Sequence, residues 1–178
     1  MPVEWSAYQS TSPASTTTVD LTMVIVDRFD GAIMKRIIDI SRSAFHREVE
    51  RLTMGWLGLY YTQNGKSKKG KACLCALNSV GDLVAFVLIT YKKRDANIDK
   101  IAVHIDYRRQ RIADRMLDTA LDYIRDVLQG PSKHVKLQVD ASNTTAINLY
   151  QKKGFRVKKR VVDYYGAGED ALAMMVRL

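Results

Sequence analysis

Between Ile98 and Leu117 an apolar, strand-like segment passes through a short turn into an amphipathic helical pattern, and Arg108, Arg109, Arg111 and Arg115 cluster at the changeover. A helix N-terminus leaves several backbone N–H groups without partners and carries a partial positive charge. With arginines beside it, such a terminus suits phosphate groups. The same residues also fit a solvated basic face at a helix start. The two cysteines, Cys73 and Cys75, are spaced C-x-C inside an apolar run, so a strand turns both to one face. No CxxC or HxxxH accompanies them, which points to two reduced thiols in or beside the core and to no metal site.

The elements that must position this changeover follow from the hydrophobic period. Leu21–Asp27 reads as a first strand, and Ile33, Ile37, Ile38, Ile40 and Ala44 recur at helical spacing behind Asp30, a candidate N-cap. A second helical piece is expected from His46 to about Leu52, ahead of the apolar stretch Gly55–Tyr61, which the pattern leaves unassigned. Ala72–Leu77 and Leu83–Tyr91 read as strands joined through a turn at Asn78–Asp82, and Asn97–Val103 as another. A long amphipathic helix spans Arg109 to Leu128 and stops at Gly130-Pro131. Val135–Val139 is a strand; Asn143 to Lys153 is a helix with Ser142 as candidate cap and Gly154 as a left-handed ending. Phe155–Val162 and Ala171–Val176 close the chain around a loop at Tyr164–Asp170. Strand, two helices, three strands, helix, strand, helix and two strands make a mixed α/β sheet with helices on both faces.

The 178 residues, 47% hydrophobic and 26% charged, fit one globular domain over 21–178, preceded by a Ser/Thr-rich tail at 1–20 expected to be flexible. No segment reaches the apolar length of a membrane span. The N-terminal segment has no basic-then-apolar signal pattern, and no arginine precedes Arg28 as a transit peptide requires, so the cytoplasm, or the nucleus, is the expected compartment. A net charge of +9 favours polyanionic partners. The basic runs Lys66–Lys71 and Lys152–Arg160 have no aromatic interleaving, which argues against sequence-specific nucleic-acid binding; near a ribosome either run suits rRNA.

The block IAVHIDYRRQRIADRMLDTAL resembles motif A of the GNAT superfamily of acetyl-CoA-dependent N-acetyltransferases. The family hallmark Arg/Gln-x-x-Gly-x-Gly/Ala falls on Arg108-Arg109-Gln110-Arg111-Ile112-Ala113. The stretch Leu137 to Phe155, with Ser142-Asn143, Tyr150 and Gly154-Phe155, resembles motif B, and Val161–Tyr165 followed by Glu169–Met174 is similar to the protein N-terminal acetyltransferases. Those include the bacterial ribosomal-protein type and the eukaryotic Nat catalytic subunits. The resemblance implies a mostly antiparallel sheet of six to seven strands, splayed between the fourth (Asn97–Val103) and fifth (Val135–Val139). It implies acetyl-CoA as cosubstrate, with Ile101, Ala102 and Val103 along the pantetheine arm and the N–H of Ile101 toward the thioester oxygen. Residues Arg108–Ala113 then cradle the pyrophosphate, Asn143 holds the pantetheine, and Tyr150 is the general acid for the thiolate; alternatively Tyr150 is a core aromatic.

Two departures from the family pattern stand out. Arg111 replaces the first hallmark glycine, so its side chain must point away or lie on the phosphate. Gln138 stands where relatives place a Glu or His base, and it cannot take a proton. The base is then sought at Asp99, two residues from Asn97, where lysine-modifying relatives carry a Glu, or at Asp140, His104, His46 or an ordered water. On the acceptor side the resemblance points to Phe45, Gln138, Tyr164 and Tyr165, with His46-Arg47-Glu48 in place of the usual proline-containing stretch. The expected activity is N-acetylation of protein N-terminal α-amines, with an auxiliary subunit or the ribosome as partner. Lysine or small-amine acetylation, and a weakly catalytic adaptor, are the alternatives.

Overall fold

The computed structural model describes residues 6–7, 20–128 and 133–178. Its elements run β1 (Ser6–Ala7), β2 (Thr22–Ile25), α1 (Gly31–Ala44), α2 (Met54–Gly58), β3 (Lys71–Leu77), β4 (Leu83–Lys92), β5 (Asp95–Val103), α3 (Ile112–Val127), β6 (His134–Asp140), α4 (Thr144–Lys152), β7 (Arg156–Gly166) and β8 (Glu169–Arg177). Tight 3-10 turns lie at Glu48–Glu50 and Ile105–Tyr107. Of the N-terminal tail only Ser6–Ala7 and Asp20 are described, and Ser6–Ala7 pair with β2; Gly130-Pro131 lies outside the described residues.

The strands form one sheet in the order β1-β2-β3-β4-β5-β6-β8-β7. At its centre Leu83–Ile89 of β4 is buried on both faces, which is why this strand reads as an unbroken apolar run. On one face α1 and α2 pack Met34, Ile37, Ile40 and Leu57 against Cys73, Cys75, Phe86 and Leu88. On the other, Ile112, Met116, Leu117, Ala120 and Ile124 of α3, with Tyr150 and Phe155, cover Leu74, Val87, Ile98 and Val135. The two cysteines do share a face, their sulfurs 3.8 Å apart in the core.

Four boundaries differ from the sequence expectation, the first being the closing loop, expected over Tyr164–Asp170 but reduced to 167–168 because β7 runs on to Gly166 and β8 begins at Glu169. The helix expected over 46–52 is only the turn at Glu48–Glu50, flanked by Arg47 and Arg51 in extended conformation; the helix forms at Met54–Gly58, where Thr53 caps it by accepting from the Trp56 N–H at 3.2 Å. Helix α3 begins at Ile112 rather than Arg109, because Arg109 and Arg111 take positive φ of 60° and 56°. The cap of α4 is Asn143, whose Oδ1 accepts from the Ala146 N–H at 3.0 Å; Ser142 instead donates to Asp140. Asp30 does cap α1, accepting from Ile33 at 2.9 Å.

Candidate active site

Strands β5 and β6 run parallel and pair at only three positions, Asp95↔His134, Ala96↔Val135 and Asn97↔Lys136. Beyond Asn97 they part. The register of β5 on β4 steps from Ile89↔Ile98 to Leu88↔Lys100, so Asp99 is an extra, unpaired residue. A bulge of this kind bends its strand and breaks the in-out alternation. Ile98 and Ile101 accordingly face the α3 layer. Asp99 and Lys100 both turn to the α1 side, where Asp99 meets Tyr60 and the Lys100 ammonium lies 4.7 Å from the centre of the Phe45 ring.

The parting leaves backbone groups open. His104 donates its N–H to the Val84 carbonyl at 2.9 Å. Antiparallel pairing alternates, so Ala102 and Lys100 also turn their backbone groups to β4, while the N–H and C=O of Ile101 and Val103 face the gap. Ala102 thus lies beside the gap with its backbone directed to β4 and its side chain in the core.

At the gap's mouth, the N–H groups of residues 109–114 find no backbone acceptor among the described residues. Left-handed residues in such a turn aim successive N–H groups into one concavity that favours an anion, and the N-terminus of α3 adds its dipole. Gln110 closes the turn by donating from Nε2 to the Asp106 carbonyl at 3.4 Å. Arg108 is occupied elsewhere: its guanidinium donates to the carbonyls of Ser43 and Ala44 at 3.3 and 3.5 Å, satisfying the C-terminus of α1. Arg111 lines a groove of about 530 Å³ between the start of α3 and α4, with Asp114, Thr145, Asn148, Leu149 and Lys152. Ile112 is buried under α3 and Ala113 is half-buried in its first turn.

Tyr150 is 7% exposed, its ring edge-on to Phe155 at 5.8 Å. Its hydroxyl has no hydrogen-bond partner among the described residues, yet no buried side-chain oxygen there lacks one, so the hydroxyl opens to accessible space. Burial pushes the phenol up to about 12, which keeps it protonated at neutral pH.

The candidate bases separate cleanly. Asp99 is half-buried, with the Tyr60 hydroxyl donating to Oδ2 and the Thr90 hydroxyl to Oδ1 at 3.2 Å. Burial raises its carboxyl above the usual range and outweighs the two hydroxyls and the nearby Lys71 and Lys100. For Asp140, burial is outweighed by the Ser142 N–H and hydroxyl and by the Arg47 guanidinium, which hold the carboxyl below its usual range. A raised carboxylate is the better proton acceptor. His104 caps the turn at Ile105–Tyr107, its Nδ1 accepting from the Asp106 N–H at 3.4 Å, and His46 is exposed on the loop after α1.

On the α1 side, Gln138 is exposed on β6 beside the parted strands. Phe45 ends α1, and Tyr164 and Tyr165 contact each other edge-on at 4.8 Å in an irregular stretch of β7 where the register jumps from Val161 to Gly166. Sequence reasoning missed Tyr60, Lys100 and Arg47, whose partners lie far off in the chain.

The model of the acetyltransferase (GNAT) family matches residues 34–155, from α1 through the gap and α3 to Tyr150 and Phe155. The chain belongs to the GNAT acetyltransferase family. Curated relatives of this GNAT protein include an N-alpha-acetyltransferase of Sulfurisphaera tokodaii, 36% identical over 48% of this chain and 50% of its own length. The N-terminal acetyltransferase B complex catalytic subunit NAA20 of Arabidopsis thaliana is 37% identical over 44% of each chain. The chain thus spans about half the length of the curated relatives it matches. In fold, the ribosomal-protein-S18-alanine N-acetyltransferase from Escherichia coli superposes with a TM-score of 0.71 at 21% identity, covering 87% of this chain and 93% of that one. Ard1 from Thermoplasma volcanium superposes at 0.70 and 21% identity, covering 88% and 97%.

Proposed function

We propose that this chain is an acetyl-CoA-dependent N-acetyltransferase acting on protein N-terminal α-amines by direct transfer. The observation that carries the reading is the parted β5–β6 pair, whose open amides lead to the anion cradle at the start of α3. Relatives named as N-alpha-acetyltransferases support the acceptor class, and those named as catalytic subunits of a complex support an auxiliary partner.

Bound acetyl-CoA supplies an acetyl group activated as a thioester. The backbone amides around residues 109–113 hold its pyrophosphate, the open groups of Ile101 and Val103 orient the pantetheine arm, and Asn143 supplies its amide Nδ2, the Oδ1 being engaged as the α4 cap. The Ile101 N–H is the donor for negative charge developing on the carbonyl oxygen. Asp99 takes the proton of the amine, and Tyr150 delivers one to the departing sulfur. An α-amine near pKa 8 costs only about 1.4 kcal/mol to deprotonate at pH 7, whereas a lysine near 10.4 costs about 5 kcal/mol. One half-buried carboxylate therefore suffices for the first acceptor.

Incubation with acetyl-CoA and a library of peptides carrying both a free N-terminus and an internal lysine, read by fragmentation mass spectrometry, tests this directly. Acetyl groups are expected on the α-amine. Exclusive labelling of lysine Nζ replaces the proposal with the lysine reading, and no labelling of any peptide removes it.

A further inference from the structure

Arg47 stands on the loop that follows α1, two residues beyond Phe45. Its Nη1 donates to Asp140 Oδ2 at 2.5 Å and its Nε to Glu169 Oε2 at 2.8 Å, while Nη1 also reaches Glu50 Oε2 at 3.4 Å. The guanidinium carbon lies 4.9 Å from the centre of the Tyr165 ring. One side chain thus joins the loop after α1, the last residue of β6 beyond the parting, and the first residue of β8 in the hairpin that carries the tyrosine pair. Among the described residues, every hydrogen bond from this loop to β6 or the hairpin comes from Arg47. Apart from the Lys100 ammonium over the Phe45 ring, the loop's other side-chain ties are local: Arg51 folds back onto the Phe45 and His46 carbonyls at 3.2 and 3.3 Å, and Leu52 donates to Ser41 of α1 at 2.9 Å.

No proline stiffens the stretch from Phe45 to Thr53, and at Arg47 the backbone is extended. The charges make the guanidinium decisive. Without it Glu50, Asp140 and Glu169 lose the one guanidinium that all three contact, and like charges at this range repel. A lysine, a point charge without the planar fork, satisfies these carboxylates only in part.

We propose that Arg47 is a positioning residue for the acceptor, clamping the loop 45–52 and the hairpin 162–170 at a fixed separation over the mouth of the β5–β6 gap. This rests on the proposed acceptor reading, with Phe45 of the loop and Tyr164 and Tyr165 of the hairpin on the acceptor side. The clamp belongs to this chain's own residues, and it does for the loop what a rigid proline turn does by covalent restraint.

The test uses the full chain with Arg47→Ala, Arg47→Lys and Glu169→Gln, the last a half-exposed position that keeps the experiment valid if the alanine variant fails to fold. Hydrogen exchange of the free protein is expected to quicken in both 45–52 and 162–170, with β3 and β4 unchanged. In steady-state kinetics KM for the peptide is expected to rise about tenfold or more, as for loss of a charged hydrogen bond. KM for acetyl-CoA should stay within about twofold, Arg47→Lys should fall between, and adding Glu169→Gln to Arg47→Ala should cost little more. Unchanged exchange in the hairpin, or an unchanged peptide KM in a variant of an active enzyme, overturns the clamp. If wild type acetylates no α-amine, the acceptor reading fails on its own and exchange alone decides for or against the clamp.

Discussion

Tyr150→Phe separates chemistry from packing more sharply than any other substitution. The ring is 7% exposed and rests edge-on against Phe155 at 5.8 Å, contacts that phenylalanine keeps. The hydroxyl makes no hydrogen bond to a described residue, so its removal breaks none, and stability should move by no more than about 0.5 kcal/mol. For a chain of this size that is about 1–2 °C in Tm. Loss of a positioned proton donor, by contrast, typically lowers kcat about a hundredfold, or about 2.7 kcal/mol of barrier. Because burial pushes the phenol up to about 12, wild type keeps its proton through neutral and mildly alkaline pH. The deficit should therefore be the same at about pH 7 and pH 9. Release of free thiol from acetyl-CoA, followed with a chromogenic disulfide, reads kcat, and a thermal melt reads stability. A kcat within twofold of wild type would refute the proton-donor role and leave Tyr150 a core aromatic. A fall of more than about 5 °C would show that the hydroxyl is structural.

Two further substitutions probe the site from other sides. Burial raises Asp99, so its neutral form is the one the fold favours, and the stabilisation is fully present below the unfolded carboxylate pKa and lost as pH rises through the raised one. Asp99→Asn, always neutral, should melt higher than wild type at pH 8 and equally at about pH 3, while kcat/KM falls at least tenfold and its acid limb keeps only the titration of the substrate amine; a variant with wild-type turnover removes Asp99 as the base. Arg111→Gly relieves a left-handed side chain, worth about 1–2 kcal/mol, against about 0.5–1 kcal/mol of added freedom in the unfolded chain. Stability should therefore stay level or rise by about 1 kcal/mol. Acetyl-CoA affinity by calorimetry should change less than about threefold, because backbone amides form the cradle; a loss beyond about tenfold would place the guanidinium on phosphate.

What the sequence discloses, and what it hides, divides by the range of the interactions. Helix α3 and the hairpin of β3 and β4 are legible because period and turn chemistry are local, as at Gly81, whose φ is 89°. The motif at Arg108–Ala113 marks the anion cradle, yet the left-handed turns at Arg109 and Arg111 delay the helix start by three residues, and neither arginine announces that conformation. The misplaced helix near residue 50 has a tertiary cause. Arg47 is drawn outward to Asp140 and Glu169 and Leu52 inward to Ser41, and these contacts override a helical pattern. The partnership of Tyr60 with Asp99 is likewise invisible in a single chain, since nothing near residue 60 points 39 positions ahead.

The most direct measurement is residue-resolved amide NMR during titration with acetyl-CoA, paired with a melt at saturating ligand. Shifts should concentrate on Ile101, Val103 and residues 109–114, and Tm should rise by about 5–10 °C at a hundredfold excess over Kd. Unmoved signals at Ile101 and Val103, with no rise in Tm, would contradict the parted strands as the place where the thiol carrier lodges.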